Sequence, residues 1–171
     1  DERFMHTSKV GGWSVTLHPA EPVPHDATEA TRLWVRKEAV LKALGSGLRL
    51  EVVARGFGAG TYGMHVHTTG QCTAPDFASA GPHWNPTGAQ HGRENPLGAH
   101  HGDLPNLVIE PDTIGRATLR LVGTRLMGEG GVIDADGAAF VIHAGPDDMK
   151  TDPSGNSGGR VACGVIVAGG A

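Results

Sequence analysis

At 171 residues the chain is long enough for one domain with a sizeable core, and 39% hydrophobic content is ordinary for a globular protein. No run of about 18 apolar residues exists, so no helical membrane span is expected. A net charge of −4 without any Lys/Arg cluster argues against nucleic acid as a partner.

In chain order, no basic start followed by an apolar stretch opens the sequence, so it is expected to begin after any targeting segment. WSVTLH (13–18) alternates Trp13, Val15 and Leu17 against polar partners and predicts a strand. Residues 26–47 behave differently. Asp26 with Glu29 makes a capping box, Leu33, Val40, Leu41 and Leu44 fall near one helical face, and Gly45 stands where a C-cap would. This predicts an inserted amphipathic helix, with a strand through Leu33–Val35 as the rival.

LRLEVVA (48–54) alternates again, with Leu48, Leu50 and Val52 on one face. GFGAG (56–60) lacks the G-x-G-x-x-G spacing of a phosphate loop and reads as a turn. In GMHVH (63–67) a strand must turn His65 and His67 one way and Met64 and Val66 the other. ATLRLV (117–122), AAFVIH (138–143) and RVACGVIV (160–167) complete the predicted strands, some buried on both sides. With 27 glycines and 11 prolines between them, short antiparallel strands in an all-β sandwich or barrel are expected.

Periodicity vanishes from 68 to 113, a stretch too long for an idle loop. Six of the ten histidines lie between 65 and 101, and a metal would supply the order that a missing core cannot. His65 and His67 come from one strand. His143 ends AAFVIH, where Phe140 and Ile142 would face the core and leave His143 outside. His83 would complete a four-nitrogen set suited to Cu(II). His91, His100 and Asp103, again with His83, make three imidazoles and a carboxylate, a closed zinc set. His83 is then wanted by both metals, and an imidazole with both nitrogens deprotonated can bridge them. His6, His18 and His25 lie outside this pattern. Cys72 and Cys163 form no C-x-x-C; they are either free thiols or, in an oxidising compartment, a pair.

HVH (65–67), AGPHWNP (80–86), HG (91–92), HHGDLPNL (100–107), IHAGPDD (142–148) and GNSGGRVACGVI (155–166) resemble the signatures of the copper,zinc superoxide dismutase family. The resemblance runs from about residue 48 to 167, and CTAPDFASAGPH is similar to bacterial secreted members. It implies a Greek-key β-barrel in one domain, 1–171, with 26–47 as an insertion that has no counterpart in the family pattern. It implies copper on His65, His67, His83 and His143, and zinc on His83, His91, His100 and Asp103. His101 stands beside His100, but the H-x-x-D spacing favours His100. A Cys72–Cys163 disulfide, a substrate-guiding Arg160 and an Asp147 carboxylate linking His65 to His91 are also implied. So is a periplasmic or secreted location. The residues leave the oligomeric state open, a homodimer being one option.

The implied activity is dismutation of superoxide to O₂ and H₂O₂ by Cu(II)/Cu(I) cycling, with His83 as the proton-carrying bridge. Capture of the anion should limit the rate, since superoxide dismutases are counted among enzymes at the diffusional ceiling. A chain of charge −4 repels an anion, so a local positive funnel is needed, and Arg160 with Lys150 are the candidates. The rival is a copper and zinc carrier without turnover; such relatives typically lack part of the copper set, which is complete here. GNSGG (155–159) matches the G-x-S-x-G of serine hydrolases, but a nucleophile elbow needs a strand before it and a helix after it, and here a predicted strand follows.

Overall fold

Alternation of apolar and polar residues builds the first sheet. The computed structural model describes residues 48–111, 114–121, 125 and 127–166; the predicted strand at 13–18 and helix at 26–47 lie outside them, as do His6, His18 and His25. Strand β1 (Leu48–Arg55) pairs antiparallel with β5 (Ile114–Leu121) along its whole length, from Leu48↔Leu121 to Arg55↔Ile114. Leu50, Val52 and Ala54 of β1 are buried with Leu119 and Leu121 of β5, while Thr118 faces outward. Two three-residue strands, β2 (Gly60–Tyr62) and β4 (Leu107–Ile109), extend this sheet to the order β1-β5-β4-β2. Neither is predicted from the sequence, because three residues are too few to show a period.

The second sheet is β3-β6-β7, from Met64–His67, Ala138–His143 and Arg160–Ile166. The main core lies between the sheets, where Met64, Val66, Phe140 and Ile142 meet Leu50, Val52 and Ile109. A smaller cluster covers the other face of the second sheet, with Phe77 and Ala80 of the long loop on Ala139, Val141 and Cys163. Every residue of β6 is therefore buried. That explains its run of apolar residues without polar alternation. His143 does point away from the main core, but it is not outside: only 3% of it is exposed.

The long loop is not structureless. Among its described residues it contains one 3₁₀ turn at Ala78–Ala80 as well as β4, and its backbone is stitched to the edge of β3 away from β6. Trp84 N donates to Val66 O (2.8 Å), Val66 N to Gly102 O (2.9 Å) and Gly102 N to Trp84 O (2.8 Å). Gly102 must be glycine, because a Cβ there would collide with the Val66 carbonyl. These bonds bring Asp103 opposite His65 and His83 opposite His67. Among the described residues no helix is long and apolar enough to cross a membrane.

Candidate metal centre

His65 and His67 leave β3 on the face opposite Met64 and Val66, and both are almost wholly buried. His143 joins them from β6, two strands being paired there at His65↔Val141. His83 comes from the loop segment bridged to His67. The ring centroids of His65 lie 3.9 Å from His83 and 4.7 Å from His143. Each of His65, His67, His83 and His143 contributes one ligand atom to a buried group in which all four atoms lie within 4.8 Å of one another.

The hydrogen bonds of these rings fix which nitrogen is free. His67 Nδ1 donates to Gly81 O (2.8 Å) and His143 Nδ1 to Gly158 O (3.0 Å), while His65 Nε2 donates to Asp147 Oδ2 (2.7 Å). In a neutral imidazole the second nitrogen then carries the lone pair. Those second nitrogens, His65 Nδ1, His67 Nε2 and His143 Nε2, together with His83 Nε2, are buried without a hydrogen-bond partner among the described residues. Burial holds the rings neutral: it lowers His65 to about 4 and His67 to about 2, and it also lowers His83 and His143. Four unpartnered lone pairs facing one point fit a cation.

A second group lies on the other side of His83. By proximity it comprises His65, His83, His91 and Asp103. His65 is drawn in by closeness, but its two nitrogens are taken up by Asp147 and by the first group. The atoms that converge are three ring nitrogens on Asp103 Oδ1: His83 Nδ1 at 3.0 Å, His91 Nδ1 at 3.0 Å and His100 Nδ1 at 3.2 Å. His100 Nδ1 is 3.4 Å from His83 Nδ1. A tetrahedral zinc with bonds of about 2.0–2.1 Å has ligand atoms about 3.3 Å apart. The spacings of His83, His91 and His100 from Asp103, and of His83 from His100, match it.

Electrostatics points the same way. Burial alone would raise the carboxyls of Asp103 and Asp147, but hydrogen bonds from histidine and backbone N–H groups hold both well below the usual range. Burial likewise lowers His91, yet its bonds to Asp103 and Asp147 outweigh this and raise it to about 9. Two buried carboxylates around His91 make a place that favours positive charge.

Asp147 joins the two groups, with Oδ1 3.1 Å from His91 Nε2 and Oδ2 on His65. Arg160 is opposite His143 across the β6/β7 pair, at a register shift that leaves Val161 as the extra residue. Such a bulge re-aims a side chain. The guanidinium donates to Phe77 O (2.6 Å) and Gly81 O (2.7 Å), so one carbonyl orients both Arg160 and His67. Cys72 and Cys163 are disulfide-bonded, with Cα atoms 5.6 Å apart. Lys150 is exposed and ion-paired to Glu94 at 3.1 Å. His101 packs edge-on against Trp84 and joins neither group. Ser157 of GNSGG is buried and donates to Ser154 O in a turn before β7, so this serine is not an exposed nucleophile.

Four contributors are absent from the sequence reading: the carbonyls of Gly81 and Gly158, the Asp152 carboxylate that accepts His91 N (2.6 Å), and Asn106, which grips the Asp147 backbone. Gly81, Asn106 and Gly158 do sit inside the AGPHWNP, HHGDLPNL and GNSGGRVACGVI motifs.

Fold and site together define a β-sandwich metalloprotein with two adjacent cation sites that share one imidazole. Residues 38–166 match the family described as copper/zinc superoxide dismutase (SODC), and the chain belongs to that family. It is 41% identical to superoxide dismutase [Cu-Zn] 2 of Aquifex aeolicus, over 75% of this chain and 77% of that one. It is 40% identical to the superoxide dismutase-like protein YojM of Bacillus subtilis, over 71% of this chain but 63% of that relative's length. A crystal structure of a double mutant of a SOD-like protein from Bacillus subtilis superposes with a TM-score of 0.76 at 35% identity, covering 92% of this chain and 99% of that one.

Proposed function

We propose that the protein dismutates superoxide to O₂ and H₂O₂, with copper held by His65, His67, His83 and His143 and zinc by His83, His91, His100 and Asp103. The observation that carries this reading is the set of four buried, unpartnered nitrogens converging from β3, β6 and the loop. Bound copper supplies one-electron redox chemistry, whereas zinc has none and serves structure.

The chain's own residues do the rest. Arg160, braced by two carbonyls beside His143, binds the superoxide anion. His67, His143 and His65 are each locked in one tautomer by Gly81, Gly158 and Asp147, so no reorientation is needed during turnover. His83 Nε2, buried between the two groups, is the atom that can hold a proton for the departing peroxide. Lys150 is ion-paired to Glu94, whereas Arg160 places its positive charge beside His67 and His143.

The disulfide supports an oxidising compartment, and we extend this to the bacterial periplasm or the medium. We further propose a homodimer; a sedimentation mass of a single chain would refute it.

The deciding measurement is metal content per chain with dismutation assayed before chelation, after it, and after copper is restored. One copper and one zinc are expected, with activity lost and regained alongside copper. A protein that binds both metals and never turns over is a carrier, and a copper-free protein of full activity would overturn the assignment.

A further inference from the structure

We propose that Gly155 is a positioning residue of the metal centre, its bare Cα forming the seat that keeps the Asp147 carboxylate between His65 and His91. The inference rests on the two-metal reading above and extends it to the backbone beneath the carboxylate. Asp147 is held from several sides. Asn106 clamps its backbone with a pair of bonds, Nδ2 to Asp147 O and Asp147 N to Oδ1, both 2.8 Å. Met149 N donates to Oδ1 at 2.6 Å. Gly63, just before β3, closes another side, since a Cβ there would lie 3.4 Å from the Asp147 Cβ.

Gly155 lies against the carboxylate itself. A Cβ on it would overlap Asp147 Oδ1 and come within 2.7 Å of His91 Nε2. Its backbone cannot easily retreat, because Gly155 N donates to Thr151 O (2.7 Å) and Gly155 O accepts from Asp148 N (2.9 Å). An added methyl must therefore turn Oδ1 away from His91 or lift the loop at the cost of both bonds. Oδ2, on His65, is farther from the intruding carbon. The zinc-side histidine consequently loses its orienting partner first, and zinc is affected more than copper.

Gly155 also has φ +63, so any side chain there carries backbone strain apart from the clash. Two controls separate these effects. Gly155→Asn tolerates the left-handed region better than Gly155→Ala but brings the same Cβ. Gly128→Ala pays the left-handed penalty alone, at φ +84 with nothing within 4 Å of the added carbon.

The experiment measures zinc loss from the holoprotein to a chelator, and the visible spectrum of Co(II) placed in the zinc site. Gly155→Ala and Gly155→Asn should both release zinc about 10–100-fold faster and shift the cobalt bands. Gly128→Ala should do neither. Zinc loss within twofold of the native rate in Gly155→Asn would overturn the proposal, as would equal acceleration in Gly128→Ala. If the Gly155 variants do not fold, Gly155→Ala is placed in an Asp147→Ala protein, where the added carbon meets no carboxylate; that double variant should fold and lose zinc no faster than Asp147→Ala alone, and one that again fails to fold, or loses zinc faster, overturns the seat. A native protein that binds no zinc would instead sink the two-metal reading.

Discussion

At the level of single residues His143 belongs to the first group alone, whereas Asp147 touches both, so the two make different predictions for copper and zinc. His143 offers Nε2 to the first group alone, and its Nδ1 is spent on Gly158 O. His143→Ala should therefore abolish dismutation while zinc content stays near one per chain; parallel loss of both metals would show that the sites do not fill independently. Asp147→Asn acts on both groups, but unequally. Oδ2 orients His65, which the β3 backbone already holds, whereas Oδ1 orients His91, on a loop. Asparagine keeps one acceptor and turns the other position into a donor, so one of the two imidazole bonds is lost. Zinc affinity is expected to fall about 10–100-fold, and copper affinity less. Competition titrations of each metal check this, and unchanged zinc affinity would reduce Asp147 to a structural carboxylate.

The elements that hold the site were legible to different degrees, for physical reasons. Period-two alternation put His65 and His67 on one face of β3 and apolar Met64 and Val66 on the other, which is how the structure buries them. The burial of His143 was not legible, because its ring is covered by His65, His67 and His83, the last of them brought in by the loop. Nor could side-chain patterns reveal that Gly81 and Gly158 act through their carbonyls. The Cys72–Cys163 bond is an element-scale constraint: it ties the start of the loop to β7 and packs with Phe77, whose carbonyl is one of the two that brace Arg160. Closing a loop of this separation, 91 residues, limits the unfolded chain by roughly 4–5 kcal/mol as an upper figure. Intact mass of the unreduced protein should fall two hydrogens short of the dithiol form. Cys163→Ser should lower thermal stability and, by loosening the Arg160 braces, reduce kcat/KM more than it reduces copper content. A Cys163→Ser protein whose activity per copper equals the native value would confine the disulfide to stability.

Across the whole molecule the charge is unfavourable, since a protein of net charge −4 repels superoxide at long range. Capture must then depend on a field of opposite sign that is local to the copper side. On the proposed function Arg160 supplies it, whereas Lys150 is ion-paired to Glu94 at 3.1 Å. Added salt screens both fields, with a reach of about 10 Å at 0.1 M. On that proposal the attraction of Arg160 governs the final approach, and kcat/KM should fall as ionic strength rises. Arg160→Glu removes the local attraction and adds to the global repulsion. Its rate should drop within the roughly 10–1,000-fold span that steering commands, and its salt slope should flatten or reverse, with copper content unchanged. Arg160→Lys should fall between, because the charge remains but an ammonium on a flexible stem cannot reproduce the fork that grips Phe77 O and Gly81 O together. Stopped-flow measurement of superoxide decay across ionic strengths reads both quantities at once. An Arg160→Glu protein with native rate and native salt slope would place this residue in the bracing of β7 against the loop, with no part in capture.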